Sequence, residues 1–155
     1  MKVLGFRGDP KAPRYAVVSE VAGGYTLIND ISDNKLSVPA AIGEDADAER
    51  LEWLYREVLA IFDAHPGIEK VVIKQNDYTQ SDTKAKRKSA HADAAVVLAC
   101  AHRNVPVELK IYSSMQTTSK QTKEHAEGRV GKTDKYWDAK MADAVNAAWW
   151  GLRHP

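Results

Sequence analysis

Cations and aromatics form the first constellation with chemical meaning. Lys84, Lys86, Arg87 and Lys88 make one run, and Lys120, Lys123, Arg129, Lys132 and Lys135 follow farther on. Tyr78, Tyr136 and Trp137 lie near them in sequence. Cations track a phosphate backbone and aromatic rings stack on bases, so Lys84, Lys86, Arg87, Lys88, Lys120, Lys123, Arg129 and Lys132 are the candidate nucleic-acid-binding residues.

Other patterns carry less. Ala126-Glu127-Gly128-Arg129-Val130-Gly131-Lys132-Thr133 satisfies a loose phosphate-loop spacing ahead of a helix. A phosphate loop must leave a buried strand, however, and residues 119–125 are polar throughout. The segment reads better as a hinge with Thr133 or Asp134 capping the helix that follows. Cys100 sits in the apolar run Val96-Val97-Leu98-Ala99-Cys100-Ala101, which makes it a core thiol rather than a nucleophile. The five histidines have no ligand-like spacing, and no nucleophile stands in a recognisable elbow.

These residues must be positioned by one domain spanning residues 1–155, 44% of it hydrophobic, and a single Cys excludes a disulfide scaffold. The net charge of +1 hides a polarity. Residues 1–69 carry 7 basic and 12 acidic groups, whereas residues 70–155 carry 15 basic and 9 acidic. No segment approaches the ~18 apolar residues of a membrane span. The N-terminal residues turn charged by Arg7, so the expected compartment is the cytosol, with no membrane partner.

Three short strands open the chain, at Val3-Leu4-Gly5-Phe6, residues 14–19 and residues 25–28, the last two joined by a Gly23-Gly24 turn. Residues 31–44 are turn-rich. Residues 45–64 place Leu51, Leu54, Val58, Ile61 and Phe62 at helical spacing. Residues 69–74 make a β-branched strand, a polar loop runs through Lys88, and residues 89–102 form an Ala-rich helix. A fifth strand spans residues 105–112, a polar helical stretch residues 113–127, and a last helix residues 133–152. The expected fold is α/β, a five-stranded mixed sheet in the order βββαβαβα flanked by helices. Trp149 and Trp150 cannot share one helix face, so one of them is expected at an interface, such as that of a homodimer.

This order resembles the ribonuclease H-like fold, and the chain is similar to its RuvC-like branch, the Holliday-junction resolvases. The likeness runs through the first hairpin, Val71-Val72-Ile73-Lys74-Gln75 as the fourth strand, and Ala142-Asp143-Ala144 on the last helix. It implies nuclease chemistry on two divalent ions held by carboxylates, one ending strand one, one ending strand four and two on the last helix. Ungapped pairing of the hairpin puts Arg7 at the first position; aligning Asp9 there instead shortens the hairpin by two residues. Lys74 falls at the second position, and Lys140 and Asp143 at the last two. Asp138 and Asp143, five residues apart, lie about 140° from each other around a helix and do not converge on one ion. Asp143 would then pair with Lys140 or Lys74.

The resemblance therefore implies a degenerate site built on Arg7, Lys74 and Lys140, with no cofactor. Such a module would bind DNA, RNA or a protein partner through its basic C-terminal half. The alternatives are an active Mg²⁺-dependent nuclease whose site is rebuilt from Asp9, Asp143 and Asp138, with Asp77 or Asp82, and a pure protein-interaction subunit.

Overall fold

A computed structural model describes residues 1–31 and 34–155; residues 32 and 33, within the turn-rich segment, lie outside the described residues. Five strands form one sheet: β1 (Lys2–Arg7), β2 (Arg14–Val21), β3 (Gly24–Leu27), β4 (Ile68–Lys74) and β5 (Val107–Lys110). Their spatial order is β3-β2-β1-β4-β5. The two hairpin pairings are antiparallel, and β4 lies parallel to both β1 and β5. The sheet is therefore mixed, as expected. Gly23 makes the β2–β3 turn at φ +85°, a conformation that a side chain disfavours.

Helices cover both faces. On one, α1 (Asp47–Ala64) and α2 (Lys84–Arg103) pack Leu54, Val58, Ala92 and Val96 against Leu4, Phe6, Val17 and Ile73. Cys100 lies in this core with no exposure, and burial pushes its thiol up to about 12. On the other face, α3 (Thr122–Arg129) and α4 (Ala139–Arg153) cover Val3, Ala16, Val18 and Val72. Strand alternation decides which residues meet α4: Val3, Gly5 and Arg7 from β1, and Lys70, Val72 and Lys74 from β4.

The α4 helix lies hard against the sheet. A Cβ on Gly5 would stand 1.9 Å from the Ala144 carbonyl oxygen, and one on Gly151 would stand 2.8 Å from the methyls of Val3 and Val72. These two glycines let the helix descend far enough to bring its first turns over the ends of β1 and β4. No helix of the described residues is long and apolar enough to cross a membrane.

Three sequence expectations need correction. α2 starts at Lys84, five residues before the predicted start, because the Thr83 hydroxyl accepts the Lys86 N–H at 3.1 Å and caps a polar first turn. α4 starts at Ala139, not residue 133. Asp138 is its cap, accepting the Met141 N–H at 2.8 Å, in place of Thr133 or Asp134. Trp149 and Trp150 are both buried, at 8% and 9% exposure. Arg129 and Arg153 lie over the Trp149 ring, while His154, Lys70 and Lys110 cover Trp150. Both rings are thus covered within the chain, and neither is the partly exposed tryptophan that the sequence leads one to expect.

Candidate functional site

Register places four cations side by side across the strand ends. Arg7 of β1 is the partner of Arg14 in β2 and of Lys74 in β4, and Lys74 is the partner of Lys110 in β5. Adjacent strands lie about 4.8 Å apart, so Arg14, Arg7, Lys74 and Lys110 form one rung of positive charge beneath α4.

Each cation of the rung meets an acid. Arg14 pairs with Asp138 at 2.8 Å, Arg7 with Asp143 at 3.1 Å, Lys74 with Asp77 at 3.2 Å and Lys110 with Glu108 at 2.9 Å. The innermost pair is the most buried, with the Asp143 side chain 2% exposed and that of Arg7 13%. Lys74 is 1% exposed and lies 3.8 Å from the centre of the Tyr112 ring.

Both oxygens of Asp143 are engaged. Oδ2 accepts Arg7 Nε–H at 3.1 Å and the Tyr112 hydroxyl at 3.0 Å, and Oδ1 accepts the Thr122 hydroxyl at 2.8 Å. Thr122 is fixed in turn by Asn146, whose amide donates to its Oγ1 at 3.0 Å and to its carbonyl at 2.9 Å. Burial pushes the Asp143 carboxyl up, against Arg7 first and then Thr122, Lys74 and Tyr112. Burial, reinforced by neighbouring Arg7, pulls Lys74 down, against Asp143 and Asp77.

The other acids of the proposed shifted site are dispersed and occupied. Asp9 pairs with Lys140 and accepts the N–H groups of Lys11 at 3.0 Å and Ala12 at 2.8 Å. Burial raises its carboxyl, but the hydrogen bonds from Lys140, Ala12 and Lys11 outweigh it and leave the group below the ordinary aspartate value. Asp138 divides its oxygens between the α4 cap and Arg14. Asp82 holds Arg87 at 2.6 Å. Lys140 faces Asp9 rather than Asp143, so the expected Asp143 partner is corrected to Arg7. Among the described residues no three His, Cys, Asp or Glu side chains are grouped to hold a metal ion.

A two-metal centre does not fit these residues. A divalent ion at the strand ends would have to displace Arg7 and Tyr112 from Asp143 and sit against the guanidinium and the ammonium. In its place is a cleft of about 470 Å³ lined by Arg7, Lys74, Asn76, Lys86, Tyr112 and Thr117, among others. Asn76 braces the opening, accepting Arg7 Nη1–H at 3.2 Å and donating to the Lys86 carbonyl at 3.1 Å.

The basic run divides between surface and interior. Lys84, Arg87, Lys120, Lys123 and Lys132 are exposed, and Lys86 lines the cleft. Lys88 is 6% exposed and bonds Asp47 and the Glu44 carbonyl, while Arg129 bonds the carbonyls of Met115 and Gln116 and the Asn146 side chain. These two candidates are structural. Tyr78 is 80% exposed beside the cleft, and Trp137 donates to Glu127 at 2.7 Å. Asp93, to which no motif in the sequence points, is buried near Arg7 and Lys74.

Solved structures with the same sheet and helices include Thermus thermophilus RuvC in complex with a Holliday junction substrate, at TM-score 0.77 and 17% identity, covering 98% of this chain and 92% of that one. A second Thermus thermophilus RuvC structure matches at TM-score 0.76 and 16% identity, covering 98% and 93%. The fold is that of RuvC. The yeast mitochondrial Holliday junction resolvase Ydc2 matches at TM-score 0.56 and 10% identity, covering 97% of this chain and 77% of that one. No protein-family model and no curated protein matches the chain. The RuvC fold thus extends over nearly the whole chain, with cations at the ends of its two central strands.

Proposed function

We propose that this RuvC-fold chain is a nucleic-acid-binding module without nuclease activity, and that it needs no divalent ion to bind. One observation carries this reading: Asp143 has both oxygens engaged, by Arg7 and Tyr112 on one and by Thr122 on the other, so that a guanidinium stands at the carboxylate where a metal would have to bind. With positive charge already at the strand ends, a phosphodiester finds cations there but no metal-activated water to attack it. The solved RuvC–Holliday junction complex supports branched DNA as the first ligand to try.

The test is binding and cleavage of a synthetic four-way DNA junction. Salt-sensitive binding in EDTA, with no cleavage in Mg²⁺ or Mn²⁺, is the expected result. Cleavage abolished by Asp143→Ala would restore the active-nuclease reading. Failure to bind DNA or RNA at any salt concentration would point to a protein-interaction subunit.

A further inference from the structure

Asp93 belongs to α2, on the sheet face opposite Asp143, and its carboxyl lies directly under the end of β1. A Cβ added to Gly8 would stand 2.5 Å from Asp93 Oδ1, so the absence of a side chain at position 8 is what makes room for it. The residue is 4% exposed, and Oδ1 has no hydrogen-bond partner among the described residues. A buried carboxylate oxygen without a donor disfavours the anion. The charged groups acting on it across the sheet are Arg7 from β1 and Lys74 from β4. Asp77 and Asp82 from the β4–α2 loop, with Lys86 and Arg87 of its own helix, line the adjoining cleft of about 310 Å³ that Asp93 also borders.

Burial pushes the Asp93 carboxyl up to about 7, with Arg7 and Lys74 opposing. Those two cations are already shared with Asp143 and Asp77. An anion arriving in the cleft they line offsets part of the positive field that keeps Asp93 ionised, and it also repels the Asp93 charge. Both effects favour the neutral acid.

We propose that Asp93 is the proton-linked counter-charge of the cationic cleft: a phosphodiester docking in the cleft that Arg7 and Lys74 line binds together with a proton that Asp93 takes from solvent. The proposal rests on the nucleic-acid reading above and assigns a pH control to the same site. Its sign is fixed by linkage. The bound state holds more protons, so affinity falls as pH rises through the neutral range.

The experiment measures the affinity of a Cy3-labelled four-way DNA junction in EDTA at constant ionic strength between about pH 6 and pH 8. The wild-type chain is expected to lose about tenfold in affinity across this range, within the tenfold-per-unit limit for one coupled proton. Asp93→Asn, which keeps the shape and cannot ionise, is expected to bind at a level independent of pH and near that of wild type at pH 6. His125 touches cleft-lining Thr117 at 2.8 Å and His91 is exposed on α2, so His125→Gln and His91→Gln are the controls and should keep the wild-type slope. A flat wild-type profile, or an unchanged slope in Asp93→Asn, overturns the proposal and leaves the nucleic-acid reading standing. No binding at any pH removes both. Should Asp93→Asn fail to fold, calorimetry of the wild type in two buffers of different ionisation enthalpy counts the protons directly, and zero uptake near pH 7 overturns it.

Discussion

A carboxylate in a metal centre and one in an ion pair answer the same substitution in opposite ways. Acids clustered to receive a cation repel one another without it, and neutralising one relieves the strain. Asp143 instead compensates Arg7, so Asp143→Ala strands a largely buried guanidinium and two hydroxyl donors. We expect a loss of about 3–5 kcal/mol in urea unfolding, with a smaller loss for Asp143→Asn, which still accepts from the hydroxyls. An increase in stability would mean that Asp143 belongs to a latent metal site. At this scale the sequence reveals residue types better than partners. It places Arg7 and Lys74 at the strand ends, yet the Arg7–Asp143 pairing depends on how far α4 descends. Asp93 hides within an Ala-rich helix, where nothing local separates a buried acid from a solvated one.

The element that sets the geometry is α4, and its approach is controlled by Gly5. Gly5→Ala drives a methyl into the Ala144 carbonyl, so the helix must lift along its length. We expect a loss of about 3 kcal/mol or more, at the upper end of overpacking costs, together with weaker junction binding as Asp143 separates from Arg7. Gly128→Ala is the contrasting case: a Cβ there meets nothing within 4 Å, and the helix propensity of Ala should raise stability by about 0.5 kcal/mol. Thermal melting of both variants checks the pair. The strands are readable because β-branched runs are bounded by Gly and Pro, and α1 because its apolar period is regular. The starts of α2 and α4 are not, since polar caps at Thr83 and Asp138 and a lysine-rich first turn look like loop until the backbone is seen.

Over the whole molecule, the basic excess of residues 70–155 performs two jobs. Lys88 and Arg129 commit their charge to an acid, carbonyls and a tryptophan ring, the rung divides its charge between its acids and the cleft, and Lys84, Lys120, Lys123 and Lys132 remain at the surface. Neutralising the exposed group should flatten the salt dependence of junction binding by about one unit for each phosphate no longer engaged, with little change in melting temperature. Lys88→Met and Arg129→Met should do the reverse, lowering the melting temperature first. A basic count from sequence cannot separate these roles, because burial of a long cationic side chain depends on distant acids.

The rung also constrains how the molecule can change. Replacing Arg7 with an acid would press a second carboxylate against Asp143, and replacing Lys74 would leave Arg7 alone to serve Asp143. Neither single step leads to a bound metal, and each passes through a destabilised chain. The paired strand ends therefore act as a ratchet: a route from this site toward metal-dependent chemistry must change several residues together, so the ion-paired state is easy to keep and hard to leave.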